Sequence, residues 1–237
     1  MNEHTVKSYE EELKLLDRRI AQMGGYAEKL LVQAIDSLER RDPKLAEKAV
    51  ADDVVIDQLE REVQDQVIVM IARRQPLAND LRHIMTVVKI AGDLERIGDL
   101  AKNIAKRALA IAGEAYPKPL MTGMRHMTEM VQNQLKDVLD ALTALDAEKA
   151  MQVWRNDQQV DAMYNSLFRE LLTYMMEDPR NIGICTHFLF GAKNIERIGD
   201  HTTNIAENVY YLVHGVPIAD DRPKGDKTSS TLITPRQ

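Results

Sequence analysis

The residues of this chain best suited to chemistry are carboxylates spaced four apart. Asp53 and Asp57, Glu95 and Asp99, Asp157 and Asp161, and Glu196 and Asp200 each stand at i, i+4. On a helix that spacing puts both side chains on one face, with Cβ atoms about 6 Å apart. Like charges so placed repel, and two such pairs brought together call for a cation or for basic partners. Donor sets made only of oxygen suit hard or borderline ions such as Mg, Mn or iron, in an exposed site that keeps its waters. A single pair carries little weight, because 37 acids in 237 residues produce roughly five or six by chance. Recurrence in register carries more.

Shifting the sequence by 101 positions lays residues 91–105 (AGDLERIGDLAKNIA) on residues 192–206 (AKNIERIGDHTTNIA), with nine of 15 positions identical. A shift of 104 lays residues 42–57 on 146–161, so the halves differ by three residues near the turns around Pro76 and Pro179. Self-similarity at a long period marks a duplicated structural unit. Proline-free stretches between the eight prolines leave room for six long helices, near 5–41, 43–74, 77–112, 118–144, 147–177 and 181–214. Asp42-Pro43, Asn79 and Asp146 serve as caps or first-turn signals. Val87, Ile90, Leu94, Ile97, Ala101, Ile104, Ala108 and Ile111 alternate spacings of three and four, the period of a bundle seam. Phe188, Gly191, Ile195, Ile198, Thr202, Ile205, Val209 and Leu212 repeat it. The expected fold is all-α: two tandem pseudo-repeated three-helix bundles of six long antiparallel helices, with residues 5–114 and 115–215 as the bundles and 216–237 as a flexible tail.

On a helical wheel Asp53 and Asp57 lie about 60° and 100° from the stripe through Ile56, and Glu95, Asp99 and Asn103 about 100° to 180° from Leu94. The acids therefore flank the core and face outward, and four converge on one side of each bundle if its second and third helices are neighbours. The competing reading is a solvated face in which Arg96 or Arg197 and Lys102 neutralise the acids with no metal bound. Asn103 and Asn204, one turn further on, either extend the ligand set or, the preferred reading, hydrogen-bond at the surface.

Composition narrows the remaining classes. Gly plus Pro is 19 of 237 residues, about 8% against a usual share near 12%, too little punctuation for sandwiches, barrels or doubly wound sheets. A net charge of −6 offers no basic footprint for nucleic acid or an anionic membrane. The N-terminal stretch has no apolar signal-type segment, and the best apolar run, residues 67–72, is far shorter than a membrane span. Cys185 is the single cysteine, which excludes an intramolecular disulfide and fits a reducing cytoplasm. It reads as a buried, inert thiol, with His187 on another face. Trp154 and the Met-rich stretch 174–178 read as core or interface. No phosphate-cradling glycine loop, HExxH or Glu-x-x-His motif is present, so catalysis has no visible apparatus.

The paired E-R-I-G-D segments, with an upstream D-x-x-x-D segment in each half, resemble the PhoU family of phosphate-specific transport accessory proteins. The resemblance runs from about residue 5 to 214 and includes ARRQPLANDLR (72–82) and LLTYMMED (171–178). It implies a cytoplasmic negative regulator that represses the phosphate-starvation (Pho) regulon when phosphate is plentiful and restrains uptake. Such proteins act as adaptors between the ATP-binding subunit of the high-affinity phosphate transporter and a phosphate-sensing histidine kinase, meeting the membrane only through these partners. Some members bind iron or zinc clusters through the D/E-x-x-x-D motifs, which here are Asp53, Asp57, Glu95, Asp99, Asp157, Asp161, Glu196 and Asp200, all acidic. The resemblance implies no organic cofactor and no catalytic residue. One departure separates the halves: Arg82 of the first faces Gly183 at the shifted position. Long amphipathic bundles also lead us to expect a homodimer. The alternative function is a metal-dependent enzyme or a metal-storing bundle using the same carboxylates.

Overall fold

The computed structural model describes residues 3–220, Arg222 and Gly225. Among the described residues there are seven α-helices: α1 (Glu3–Arg40), α2 (Pro43–Asp52), α3 (Val54–Arg74), α4 (Asn79–Ala110), α5 (Lys118–Ala144), α6 (Ala147–Glu177) and α7 (Ile182–His214). A short 3-10 turn, Pro179–Asn181, leads into α7. Among the described residues there is no strand, and no helix is long and apolar enough to cross a membrane.

Local chemistry accounts for the joints. Asp42 accepts from the backbone N–H groups of Lys44 and Leu45, with Pro43 as the first helical residue of α2, so three signals start the helix together. Asp146 caps α6 through the Lys149 N–H at 3.0 Å, just after Leu145 ends α5 in the left-handed region at φ 52°. Asn79 stands in the first turn of α4, as its first residue, while the cap position falls on Ala78, at φ 49°, without a side-chain bond. One expectation needs correction: the rod expected over 43–74 is interrupted at Asp53, which separates α2 from α3.

α1, α2, α3 and α4 form the first bundle and α5, α6 and α7 the second, the two joined where α4 packs along α7 and α1 along α5. Val87, Ile90, Leu94, Ile97, Ala101, Ile104, Ala108 and Ile111 are all buried, and so are their counterparts up to Val209, with Leu212 half-buried. The α4 and α7 seams thus point into the two cores, while their flanks carry the E-R-I-G-D acids past α3 and α6. Cys185 is buried and Trp154 is core, but Met176 is 77% exposed, so the Met-rich stretch is not all interior.

Candidate functional site

The first acidic cluster forms where α4 crosses the α2–α3 junction. Gly98, the glycine of E-R-I-G-D, permits the approach: a Cβ there would lie 2.9 Å from Ile56 Cδ1 and 3.1 Å from Asp53 Oδ1. Asp53 is only 3% exposed. The Lys102 ammonium donates to Asp53 Oδ2 and to Asp99 Oδ1, both at 2.5 Å. Arg96 reaches Glu95 Oε2 and Asp99 Oδ2 at 3.4 Å each. Burial pushes the Asp53 carboxyl above its ordinary value against the opposing pull of Lys102. Burial and the neighbouring Asp99 push Glu95 up likewise, with Asp57 adding to the repulsion. Burial would by itself lower Lys102, but its bonds to Asp53 and Asp99 outweigh that and raise it.

The second cluster lies between α6 and α7. Asp157, Asp161 and Glu196 are 2–4% exposed and Asp200 is half-buried. One of its cations comes from beyond α7. Arg222 donates through Nε and Nη2 to Asp157 Oδ2 at 3.2 and 2.9 Å, and through Nη2 to Asp200 Oδ1 at 2.6 Å. The Gly225 N–H donates to Asp161 Oδ2 at 2.6 Å. Lys193 pairs with Glu196 Oε1 at 2.8 Å, leaving Glu196 Oε2 buried with no partner. Asp53 Oδ1 in the first cluster is in the same position. Burial pushes Asp157 up, against Arg222. Burial pushes Glu196 up to about 7, with Lys193 opposing and Asp200 and Asp161 reinforcing.

A cleft of about 840 Å³ runs between the clusters, lined by Glu60, Glu95 and Arg96 on the first bundle, Asn204 and Glu207 on α7, and the segment carrying Pro217 and Arg222. On its wall Asp93 of α4 meets His201 Nδ1 at 2.9 Å and accepts from Asn204 Nδ2 at 3.2 Å. Asn204 therefore hydrogen-bonds across the two halves, while Asn103 is exposed.

The structure brings the eight predicted carboxylates together as two groups of four, one per bundle. It overturns the expectation that they face outward into water: Asp53, Asp157, Asp161 and Glu196 are buried in the inter-helix grooves, and at Asp53 it is Gly98 that lets α4 close over the carboxylate. All-carboxylate donors with buried, unpartnered oxygens suit a hard divalent cation in their chemistry. Among the described residues, however, no three acidic, His or Cys side chains stand where they could hold an ion directly; Lys102 and Arg222 bridge them instead. Sequence reasoning missed Arg222, Gly225 and the Asp93–His201 contact. One signal was available. The 101-residue shift lays Lys102 on Thr203, so at that position the second cluster has no lysine, and its own α7 lysine, Lys193, pairs with Glu196 instead.

Comparison with known proteins matches the PhoU domain model twice, over residues 20–108 and 124–209. A phosphate-specific transport system accessory protein PhoU homolog of Rhizobium meliloti is 52% identical over 227 residues, 96% of each chain. The homolog of Caulobacter vibrioides is 50% identical, over 97% of this chain and 100% of its own. The crystal structure of PhoU from Pseudomonas aeruginosa superimposes with a TM-score of 0.85 at 39% identity, covering 88% of this chain and 100% of that one. The phosphate transport system regulatory protein PhoU of Streptococcus pneumoniae gives 0.81 at 26% identity, over 89% of this chain and 99% of its own.

Proposed function

Because the chain belongs to the PhoU family, we propose that it is a non-catalytic accessory protein of phosphate transport. It restrains uptake and represses the Pho regulon when phosphate is plentiful. In this reading it sits in the cytoplasm and links the transporter's ATP-binding subunit to the sensor histidine kinase. The observation that carries the proposal is the likeness, along nearly the whole chain, to proteins named as phosphate-specific transport accessory proteins. The eight carboxylates serve it as two cation-holding surfaces, for iron or another divalent metal (Zn, Mg or Mn), whose charge state sets the shape of the cleft between the bundles. Copies pair through apolar side chains left at the α3–α4 end, where Ile68 and Leu77 are 65% and 80% exposed.

The test is genetic and biochemical. In a strain lacking its own copy, this chain restores low alkaline phosphatase activity in high phosphate, and Glu95→Ala with Asp99→Ala relieves that repression. The purified protein binds the transporter ATPase and the kinase. Failure to bind either partner overturns the adaptor reading, whereas unchanged repression by a stable double variant removes the first cluster from the mechanism.

A further inference from the structure

Two successive glycines, Gly24 and Gly25, stand in the middle of the 38-residue helix α1. Glycine in a helix interior is unfavourable against alanine, so each position asks for a physical reason. Gly24 has one: a Cβ there would lie 2.7 Å from Leu139 Cδ1, and its absence lets α1 cross close to α5. Packing supplies none for Gly25, where nothing stands within 4 Å of a Cβ. Nor does the repeat require it, since the 104-residue shift lays Gly25 on Glu129.

Gly25 instead borders a cavity of about 530 Å³ between the two bundles, where α1 meets α5. That space suits a small organic molecule. Ile20 of α1, Val87 of α4, Leu139 and Leu142 of α5 and Leu212 of α7 make an aliphatic wall. Ile20 and Val87 are buried, but Leu139, Leu142 and Leu212 are only half-buried. The apolar body of a guest would take them out of water, and the bare backbone at Gly25 lets it lie directly against α1. The two ends of the cavity, roughly 16 Å apart along α1, differ in charge. At one, Asp17 Oδ1 is hydrogen-bonded to His83 Nε2 at 2.9 Å, beside Arg18. At the other, Glu28 stands near Asp140. Asp140 is paired with Lys149 at 3.0 Å, whereas Lys136 acts on Glu28 from a distance and forms no ion pair with it. Burial pushes the Glu28 carboxyl above its ordinary value, with Lys136 opposing and Asp140 adding to the rise. A positive group placed at that end answers the half-buried carboxylate.

We propose that this inter-bundle cavity is a binding site for a small amphipathic ammonium, with its charged group on Glu28 and its apolar body along the aliphatic wall past Gly25. The site shares no residue with the eight carboxylates or with the cleft between them, and it stands whether or not those carboxylates hold a cation.

The probe is n-octylammonium, with octanoate as its anionic and octan-1-ol as its neutral counterpart, each titrated into the full chain at neutral pH. Calorimetry gives the affinity, and methyl NMR the location. Octylammonium shifts the methyl signals of Val87, Leu139, Leu142 and Leu212 and binds about tenfold more tightly than octan-1-ol, the worth of one hydrogen bond to a charged group; octanoate is weaker still. Glu28→Gln keeps the shape of the cavity and loses the preference for octylammonium over octan-1-ol. Gly25→Leu replaces a poor helix former in open space, so its thermal midpoint is unchanged or raised, and the added side chain abolishes octylammonium binding. The proposal is overturned if Gly25→Leu binds octylammonium as the parent does, or if no probe shifts those methyl signals. Equal binding of octylammonium and octanoate, or an undiminished cation preference in Glu28→Gln, removes Glu28 from the site and the ammonium with it.

Discussion

Glu196 is a carboxyl for which burial and neighbouring charge leave no comfortable ionised state. Its value of about 7 in the folded chain stands against 4.5 for an ordinary glutamate. Between those values the folded protein carries a proton that the unfolded chain lacks. Stability is therefore fully present below about 4.5 and declines as pH rises toward 7, by at most about 3 kcal/mol. Thermal melts of chelator-treated protein should fall over that range, and Glu196→Gln should flatten the dependence; a flat parent profile would show that Lys193 neutralises the charge fully. Gly98 and Gly199 pose a second contrast at this scale. A methyl at Gly98 meets Ile56 and Asp53 at 2.9 and 3.1 Å, whereas at Gly199 its nearest neighbour is Val160 at 3.5 Å. Gly98→Ala should cost about 1–2 kcal/mol through overpacking and loosen the first cluster. Gly199→Ala should be neutral or gain a few tenths of a kcal/mol from helix propensity. Urea unfolding of the two variants measures the difference directly.

The joints between helices were the legible features at the scale of elements. Asp42-Pro43 and Asp146 were identified from residue type and position, and both act as caps. Asp146→Ala should lower stability by about 1 kcal/mol, the usual worth of a side-chain cap, and a shift in thermal midpoint without a change in helix content would confirm it. The interruption at Asp53 was not legible, because nothing in VADDVVIDQ breaks a helix by propensity. There the ladder loosens to Ile56 N–H and Asp57 N–H both reaching the Asp53 carbonyl, at 2.9 and 3.4 Å, while the side chain is held inward by Lys102 from another helix. Placing a carboxylate in a groove is a tertiary matter, and the wheel could only put it on the flank of the core.

For the molecule as a whole, the wall between α4 and α7 makes two bundles act as one body. Asp93 bridges to His201 and Asn204. Arg82 lies over the Tyr211 ring, 5.7 Å from its centre, and its guanidinium fills the space beside Gly215, where a Cβ would approach to 2.5 Å. This is what the first half has and Gly183 of the second lacks: a residue that closes the far end of α7. Asp93→Ala should leave two partners unsatisfied, cost about 1–2 kcal/mol, and raise hydrogen exchange in the last turns of α7 while leaving α1 protected. Equal loosening of both bundles would argue against a local bridge.

Duplication, six rods, the two seams and the identity of the eight carboxylates were all readable from the order of residues, because helical period and repeat register are local and one-dimensional. How deeply the carboxylates are buried, which cation answers each group and where the two bundles meet depend on contacts between residues far apart in sequence, such as Asp93 and Asn204, 111 positions apart. Arg222 shows the boundary most clearly. An arginine after α7 has no period and no motif, and it acquires meaning only when the folded chain brings it to Asp157 and Asp200, at the place where the repeat has a threonine instead of a lysine.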